Sequence, residues 1–117
     1  MAEGGRLTVH VLDLARGRPA ESLGVALFRL WAENREALGA WATNADGRCA
    51  APLLAGAAFT AGRYELVFAV GAWRAAQGEA PGLYPEVPIR VEVGDAAQHL
   101  HVPLLLAPYG YSTYRGS

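Results

Sequence analysis

The sequence predicts a mainly β protein, an antiparallel β-sandwich of eight or so short strands in two sheets with one short helix. Three observations carry this. Apolar residues alternate with other residues along several short runs, the period of a half-buried strand. Turn signals rich in Gly, Pro, Asn and Asp separate those runs at regular intervals. Hydrophobic residues make up 52% of the 117 positions and charged residues 18%, enough apolar side chain for a single core and too little charge for disorder.

The first strand is expected over residues 7–14, with Leu7, Val9, Val11 and Asp13 on one face and Thr8, His10, Leu12 and Leu14 on the other. Gly17 and Pro19 mark the reversal over residues 15–20. Residues 23–31 are rich in β-formers and read as a second strand. Residues 34–38 are polar and read as a loop into a third strand over residues 40–43. Asn44-Ala45-Asp46-Gly47 is a tight-turn signal, because Asp-Gly tolerates positive φ. Arg48 follows that turn directly, and residues 49–54 read as a short strand. Gly62 restarts the chain, after which Tyr64, Leu66, Phe68 and Val70 alternate with Glu65, Val67 and Ala69. A short helix is expected over residues 72–77 and a loop over residues 78–85. Val87, Ile89, Val91 and Val93 then face inward, with Pro88 marking an edge strand. Residues 94–98 turn the chain into a strand over residues 99–106, and residues 109–114 form the last. Together the chain reads as a single domain with residues 1–6 flexible.

Composition excludes several classes of function. Ten Arg stand against eleven acids, with no Lys and a net charge of −1, so no basic surface argues for nucleic acid or an anionic membrane. No stretch is long and apolar enough to span a bilayer, and no signal peptide is visible, so a cytoplasmic protein is expected. The single cysteine, Cys49, cannot form an intrachain disulfide and reads as a small buried hydrophobe rather than a reactive thiol.

Strand parity points to a site. Leu100, Val102, Leu104 and Leu106 form an apolar row that should face the core, which leaves His99, His101, Pro103 and Leu105 on the opposite face. His10 shares its face with Thr8 and Leu12. Two strands therefore each present histidine away from the core, on a face too apolar for water. Such a patch marks an interface or a ligand groove. It is expected to pack against another subunit and to line a shared cleft. His99 and His101 have the spacing of a chelating pair, but no acid or cysteine accompanies them, and no metal is expected. Histidine suits proton transfer near neutral pH. Arg48, on the short leash of its turn, reads either as a solvated loop residue or as an anion binder. Trp31, Trp41 and Trp73 read as core or subunit-contact residues, and Asp13 and Asp46 as turn or capping acids. The tail is unusually apolar and aromatic for a terminus. It either frays after a final strand or is buried to its end, fixing the hydroxyl and carboxylate of Ser117.

Several stretches together resemble one family. Leu7-Thr8-Val9-His10-Val11-Leu12-Asp13 with Gly17 and Pro19-Ala20, Thr43-Asn44 with Asp46-Gly47-Arg48, and Tyr84-Pro85 are similar to the bacterial 5-hydroxyisourate hydrolases, transthyretin-like enzymes of urate breakdown. So are His101-Val102-Pro103-Leu104-Leu105-Leu106 and Tyr111-Ser112-Thr113-Tyr114-Arg115-Gly116-Ser117. The resemblance implies a transthyretin-like (prealbumin-like) sandwich and a homotetramer, a dimer of dimers with active sites in a central channel. It implies hydrolysis of a cyclic amide in 5-hydroxyisourate to 2-oxo-4-hydroxy-4-carboxy-5-ureidoimidazoline, with no cofactor. It assigns His10, Arg48, His101 and Ser117 to catalysis and Tyr114, Arg115 and Gly116 to substrate binding. His101 or His10 would deprotonate water, Arg48 would stabilise the oxyanion, and Ser117 would position water or substrate. One departure is His99-Leu100-His101, where the family often has tyrosine in the middle. Leu100 should face the core, so the change concerns packing. Two other readings stand beside this one. A transthyretin-like carrier would have the same channel, but in that branch the two histidines, the arginine and the Tyr-Arg-Gly-Ser end are replaced. A structural β-sandwich module of a larger assembly would be expected to come with linkers or sibling domains, and that reading would gain if the protein were a monomer, whose apolar outer face would have no partner.

Overall fold

The computed structural model describes residues 4–117; Met1, Ala2 and Glu3, part of the stretch expected to be flexible, lie outside the described residues. Among the described residues nine strands form two sheets. In order they are β1 Arg6–Asp13, β2 Arg18–Pro19, β3 Gly24–Leu30, β4 Arg35–Ala42, β5 Leu54–Ala55, β6 Gly62–Phe68, β7 Val87–Val93, β8 His99–Ala107 and β9 Gly110–Thr113. A helix, α1 Val70–Ala76, follows β6. One sheet runs β2-β1-β8-β9 with β5 also on β1, and the other runs β4-β3-β6-β7. Gly5 N–H donates to the Ala96 carbonyl at 2.8 Å.

The inner faces follow the predicted alternation. Leu7, Val9 and Val11 of β1, Val102, Leu104 and Leu106 of β8, and Tyr64, Leu66 and Phe68 of β6 are buried in one core. Burial of such side chains, about 1.5–3 kcal/mol each, is what holds the two sheets together. Pro88 lies on β7, an edge strand as expected. Asp13 is buried and caps the following turn, accepting from the N–H groups of Ala15 and Arg16 at 3.1 and 3.3 Å. Trp73 is buried, with its indole N–H on the Glu21 carbonyl, and Trp41 packs against the core. Trp31 is not a core residue: it is 52% exposed, with the Arg29 guanidinium 4.5 Å above its ring.

Four details differ from the sequence reading. The sandwich contains one parallel pair, β1 with β8, because the two strands enter the sheet from the same end. β4 begins at Arg35 rather than near Ala40: it is a largely solvated edge strand, so its polar start carries no alternation, and a bulge at Leu27/Phe28 shifts its register. Of residues 49–54 only Leu54 joins a strand, since the chain meets β1 just at Arg6–Leu7, below Pro52, which has no N–H to donate. Glu65, on the outward parity of β6, is buried: Arg35 and Arg90 from the flanking strands close over its carboxylate at 2.6 and 3.0 Å.

Candidate active site

The site lies on the outer face of the β1–β8 pair. In a parallel pair, neighbouring residues point to the same side, and the register sets Thr8 beside His101 and His10 beside Pro103. His99, His101, Thr8 and His10 therefore share one surface. The His10 and His101 ring centroids are 6.4 Å apart, and those of His99 and His101 6.0 Å.

The Asn44–Gly47 turn delivers Arg48. The Asn44 side-chain oxygen accepts from the N–H groups of Asp46 and Arg48 at 2.9 and 3.1 Å, and Gly47 N–H donates to the Asn44 carbonyl. Gly47 adopts φ +75°, and its carbonyl accepts from Val11 N–H at 2.8 Å. A Cβ at this position would lie 2.3 Å from the Val11 oxygen, so only glycine lets the turn dock on the edge of β1. Docking places Arg48 across from His10 as an isolated antiparallel bridge.

The tail arrives from the other side. β9 pairs Leu104 with Thr113 and Leu105 with Ser112, and the same register resumes at His101 and Gly116. The interruption falls at Pro103, which offers no N–H to the tail; its carbonyl instead accepts from the Thr113 hydroxyl at 2.8 Å. Gly116 N–H donates to the His101 carbonyl at 2.9 Å. A Cβ on Gly116 would stand 2.5 Å from His101 Cδ2, so the tail lies flat on the imidazole only because position 116 is glycine.

These segments enclose an open cleft of about 340 Å³ lined by Arg6, Thr8, Arg48, His99, His101 and Ser117. His101, Arg48 and Ser117 are thus brought together, with Gly116 against the His101 ring. His10 flanks the cleft beside Arg48 rather than lining it. Tyr114 and Arg115 are exposed and line a separate groove with Ile89, Val91 and Leu100, and Arg115 donates to Gln98 Oε1 at 2.8 Å. A larger concavity, about 470 Å³, lies elsewhere beside Asp13, Arg18, Glu21 and Trp73. No histidine faces it, and its buried carboxylate already holds two backbone amides.

Two residues escaped the sequence reading as site components. Thr8 places its hydroxyl 2.7 Å from His99 Nε2 and 2.8 Å from His101 Nδ1. Arg6 adds a second cationic group to the rim. The parity of Thr8 with His10 was visible in the sequence, but its partners are 91 and 93 residues away.

All three histidines are held below their usual pKa near 6.5. For His101 burial is the main cause, followed by the positive charge of Arg48 and the other two histidines. Burial and then Arg48 act on His10, partly offset by the Asp46 carbonyl and carboxylate; burial and then Arg6 act on His99. Near neutral pH the cleft therefore presents neutral imidazoles beside a permanent cation. Burial also pushes the Cys49 thiol up, in keeping with an inert packing residue. Among the described residues no group of three or more His, Cys, Asp or Glu is placed to hold a metal ion.

Fold and cleft define a transthyretin-like sandwich whose outer sheet face carries neutral histidines, an arginine and a folded-back tail. A sequence profile of the HIUase/Transthyretin family matches residues 7–116, and the chain belongs to that family. It is 58% identical to the 5-hydroxyisourate hydrolase of Mesorhizobium japonicum, over 99% of this chain and 95% of the relative. The solved 5-hydroxyisourate hydrolase of Klebsiella pneumoniae superposes with a TM-score of 0.83 at 41% identity, over 97% of this chain and 99% of that one. Sea bream transthyretin, solved in complex with thyroxine, superposes with a TM-score of 0.87 at 25% identity, over 95% of this chain and 94% of that one.

Proposed function

We propose that this chain hydrolyses 5-hydroxyisourate, opening its cyclic amide to 2-oxo-4-hydroxy-4-carboxy-5-ureidoimidazoline, as a cytoplasmic homotetramer built from two dimers. The observation that carries this reading is the convergence of His101, Arg48 and Ser117, from three separate segments, on one cleft. His101 is the general base: its Nδ1 is engaged by Thr8, which leaves Nε2 for a water in the cleft. As that water attacks the ring carbonyl, Arg48 stabilises the oxygen that gains negative charge. His10 keeps Arg48 company at the cleft edge and shapes its electrostatics. Gly116 seats the tail so that Ser117 reaches water or substrate; Tyr114 and Arg115, expected from the resemblance to bind substrate, instead line the separate groove, where Arg115 anchors the tail through Gln98. The C–N bond then breaks, and the proton taken from water returns to the leaving nitrogen.

General-base help is worth about 10²–10⁴-fold. Oxyanion stabilisation by one group is worth about 10²–10³-fold. The test generates 5-hydroxyisourate from urate with a urate oxidase and follows its ultraviolet decay. The intact protein should accelerate the decay. Arg48→Ala and His101→Asn should each lose at least about 10²-fold while remaining folded. No acceleration by the folded assembly would turn the reading towards a carrier that binds in the same channel without chemistry.

A further inference from the structure

The Thr8 hydroxyl stands between two imidazoles, 2.7 Å from His99 Nε2 and 2.8 Å from His101 Nδ1. A hydroxyl has one proton to donate and lone pairs that accept. Both ring nitrogens cannot accept from it at once, so at least one of them carries a proton and donates to Oγ1. Three arrangements satisfy the geometry with both rings neutral. In the first, His101 Nδ1–H donates to Thr8, Thr8 donates to His99 Nε2, and His101 Nε2 is a bare lone pair. In the second every direction is reversed, and His101 Nε2 carries a proton. In the third both nitrogens donate to Oγ1, which leaves His101 Nε2 bare but His99 Nε2 already protonated. Only the first gives the cleft a base and also leaves His99 Nε2 free to receive a proton.

Resting on the reading of His101 as the general base, we propose that Thr8 and His99 form a proton relay behind it. Thr8 holds His101 in the Nδ1–H tautomer and carries the proton gained from water on to His99. The bookkeeping closes. Water loses a proton to His101 Nε2 as its oxygen bonds to the carbonyl carbon. The His101 Nδ1 proton moves to Thr8 Oγ1, and the proton Thr8 held moves to His99 Nε2. His101 is then neutral in the opposite tautomer, and His99 is the imidazolium. When the C–N bond breaks, His101 Nε2 protonates the leaving nitrogen, and the relay runs backwards to its starting state.

The surroundings favour this division of labour. His101 faces Arg48, His10 and His99, so a positive charge held there is opposed on several sides. His99 faces Arg6 and His101 and is less buried, which makes it the better place for a transient charge. Thr8 is on β1 and both histidines are on β8, so the relay is set by backbone register rather than by a mobile loop.

The relay is tested on the whole protein with Thr8→Val, Thr8→Ser, His99→Asn and the Thr8→Val/His99→Asn double variant. The readouts are kcat and KM across the histidine titration range, and the imidazole nitrogen NMR shifts that distinguish the tautomers. Thr8→Val should lower kcat about 10–100-fold with KM within about twofold. Thr8→Ser, which keeps the hydroxyl, should stay within about threefold of the parent. The double variant should fall no further than Thr8→Val alone, because both changes break one relay. Three results overturn the proposal: unchanged kcat in Thr8→Val, equal damage from Val and Ser, or multiplied losses in the double variant. If the parent protein shows no hydrolysis, the hydrolase reading fails separately, and NMR decides the clamp. A single His101 tautomer that Thr8→Val abolishes upholds it, and the same tautomer mixture in both proteins overturns it.

Discussion

At the scale of single residues, the site is defined by what each histidine is denied. Burial opposes protonation of His101 and His99, and so do the guanidinium groups of Arg48 and Arg6 at the cleft. The working form of a base is the neutral one, and a lowered pKa preserves it into mildly acidic solution. The acid limb of the rate profile should therefore have its midpoint below 6.5, the usual histidine value; a limb at or above 6.5 would contradict the assignment. The same shift acts on stability. Below 6.5 the unfolded chain binds protons that the folded histidines resist, so stability is full above that value and falls as pH drops through the folded pKa. Melting temperature against pH should show this loss, and His101→Asn should flatten it. Gly116 tests position rather than charge. Gly116→Ala would force a Cβ to within 2.5 Å of the His101 ring, so the tail or the ring must move. A shift of that size should cost up to about 10²-fold in kcat. Gly116 sits at the end of the tail, so the melting temperature should barely change.

At the scale of elements, two devices set the geometry. The Asn44–Gly47 turn is welded to β1 through the Gly47 carbonyl, and Arg48 inherits its place from that weld. Gly47→Ala should cost about 1–3 kcal/mol from the positive φ alone. It should also lower turnover by displacing Arg48, a pairing that chemical denaturation and the decay assay can separate. On the opposite sheet, Glu65 ties β4, β6 and β7 together through Arg35 and Arg90. Burial pushes its pKa up, but the hydrogen bonds from Arg90 and Arg35 outweigh that and hold it below 4.5. Its contribution is therefore present above 4.5 and lost as pH falls through the folded value. Both arginines are more than half exposed, so either alone is worth little. Removing both with Arg35→Ala/Arg90→Ala leaves a buried carboxylate unpaired and should cost about 3 kcal/mol or more in urea unfolding. In that variant acid should stabilise rather than destabilise.

At the scale of the molecule, the outer face of the β1–β8 sheet is the unfinished part. Leu12 and Leu105, side by side in register on that face, are only partly buried, and Leu14, just beyond β1, is 55% exposed. Surface of this kind beside a polar cleft fits an interface between copies of the chain. The proposed tetramer makes a direct prediction. Leu105→Glu should yield smaller species in analytical ultracentrifugation and lose activity, with its circular dichroism unchanged. A fully active monomeric parent protein would contradict it. The helix α1 is too short to cross a membrane, and no helix among the described residues is long and apolar enough to do so.

Much of this was legible in the chain because alternation is a local code. The inward rows of β1, β6, β7 and β8 and the outward parity of His10 and His101 follow from period two alone. So does the tight turn before Arg48, which needs only Asp-Gly chemistry. Where that code is silent the reading stopped. β2 and β5 are two residues long and cannot display a period, and the solvated start of β4 has no face to alternate against. The burial of Glu65 depends on arginines from two other strands, so its outward parity misleads. Residue types and their faces were thus determined by the sequence itself. Which faces meet was decided by the tertiary structure. The parallel register of β1 on β8 sets Thr8 between two histidines more than ninety residues away, and the β9 register lays Gly116 on the His101 ring. Hydrogen bonds across such separations form only once the chain has closed, so no local pattern encodes them.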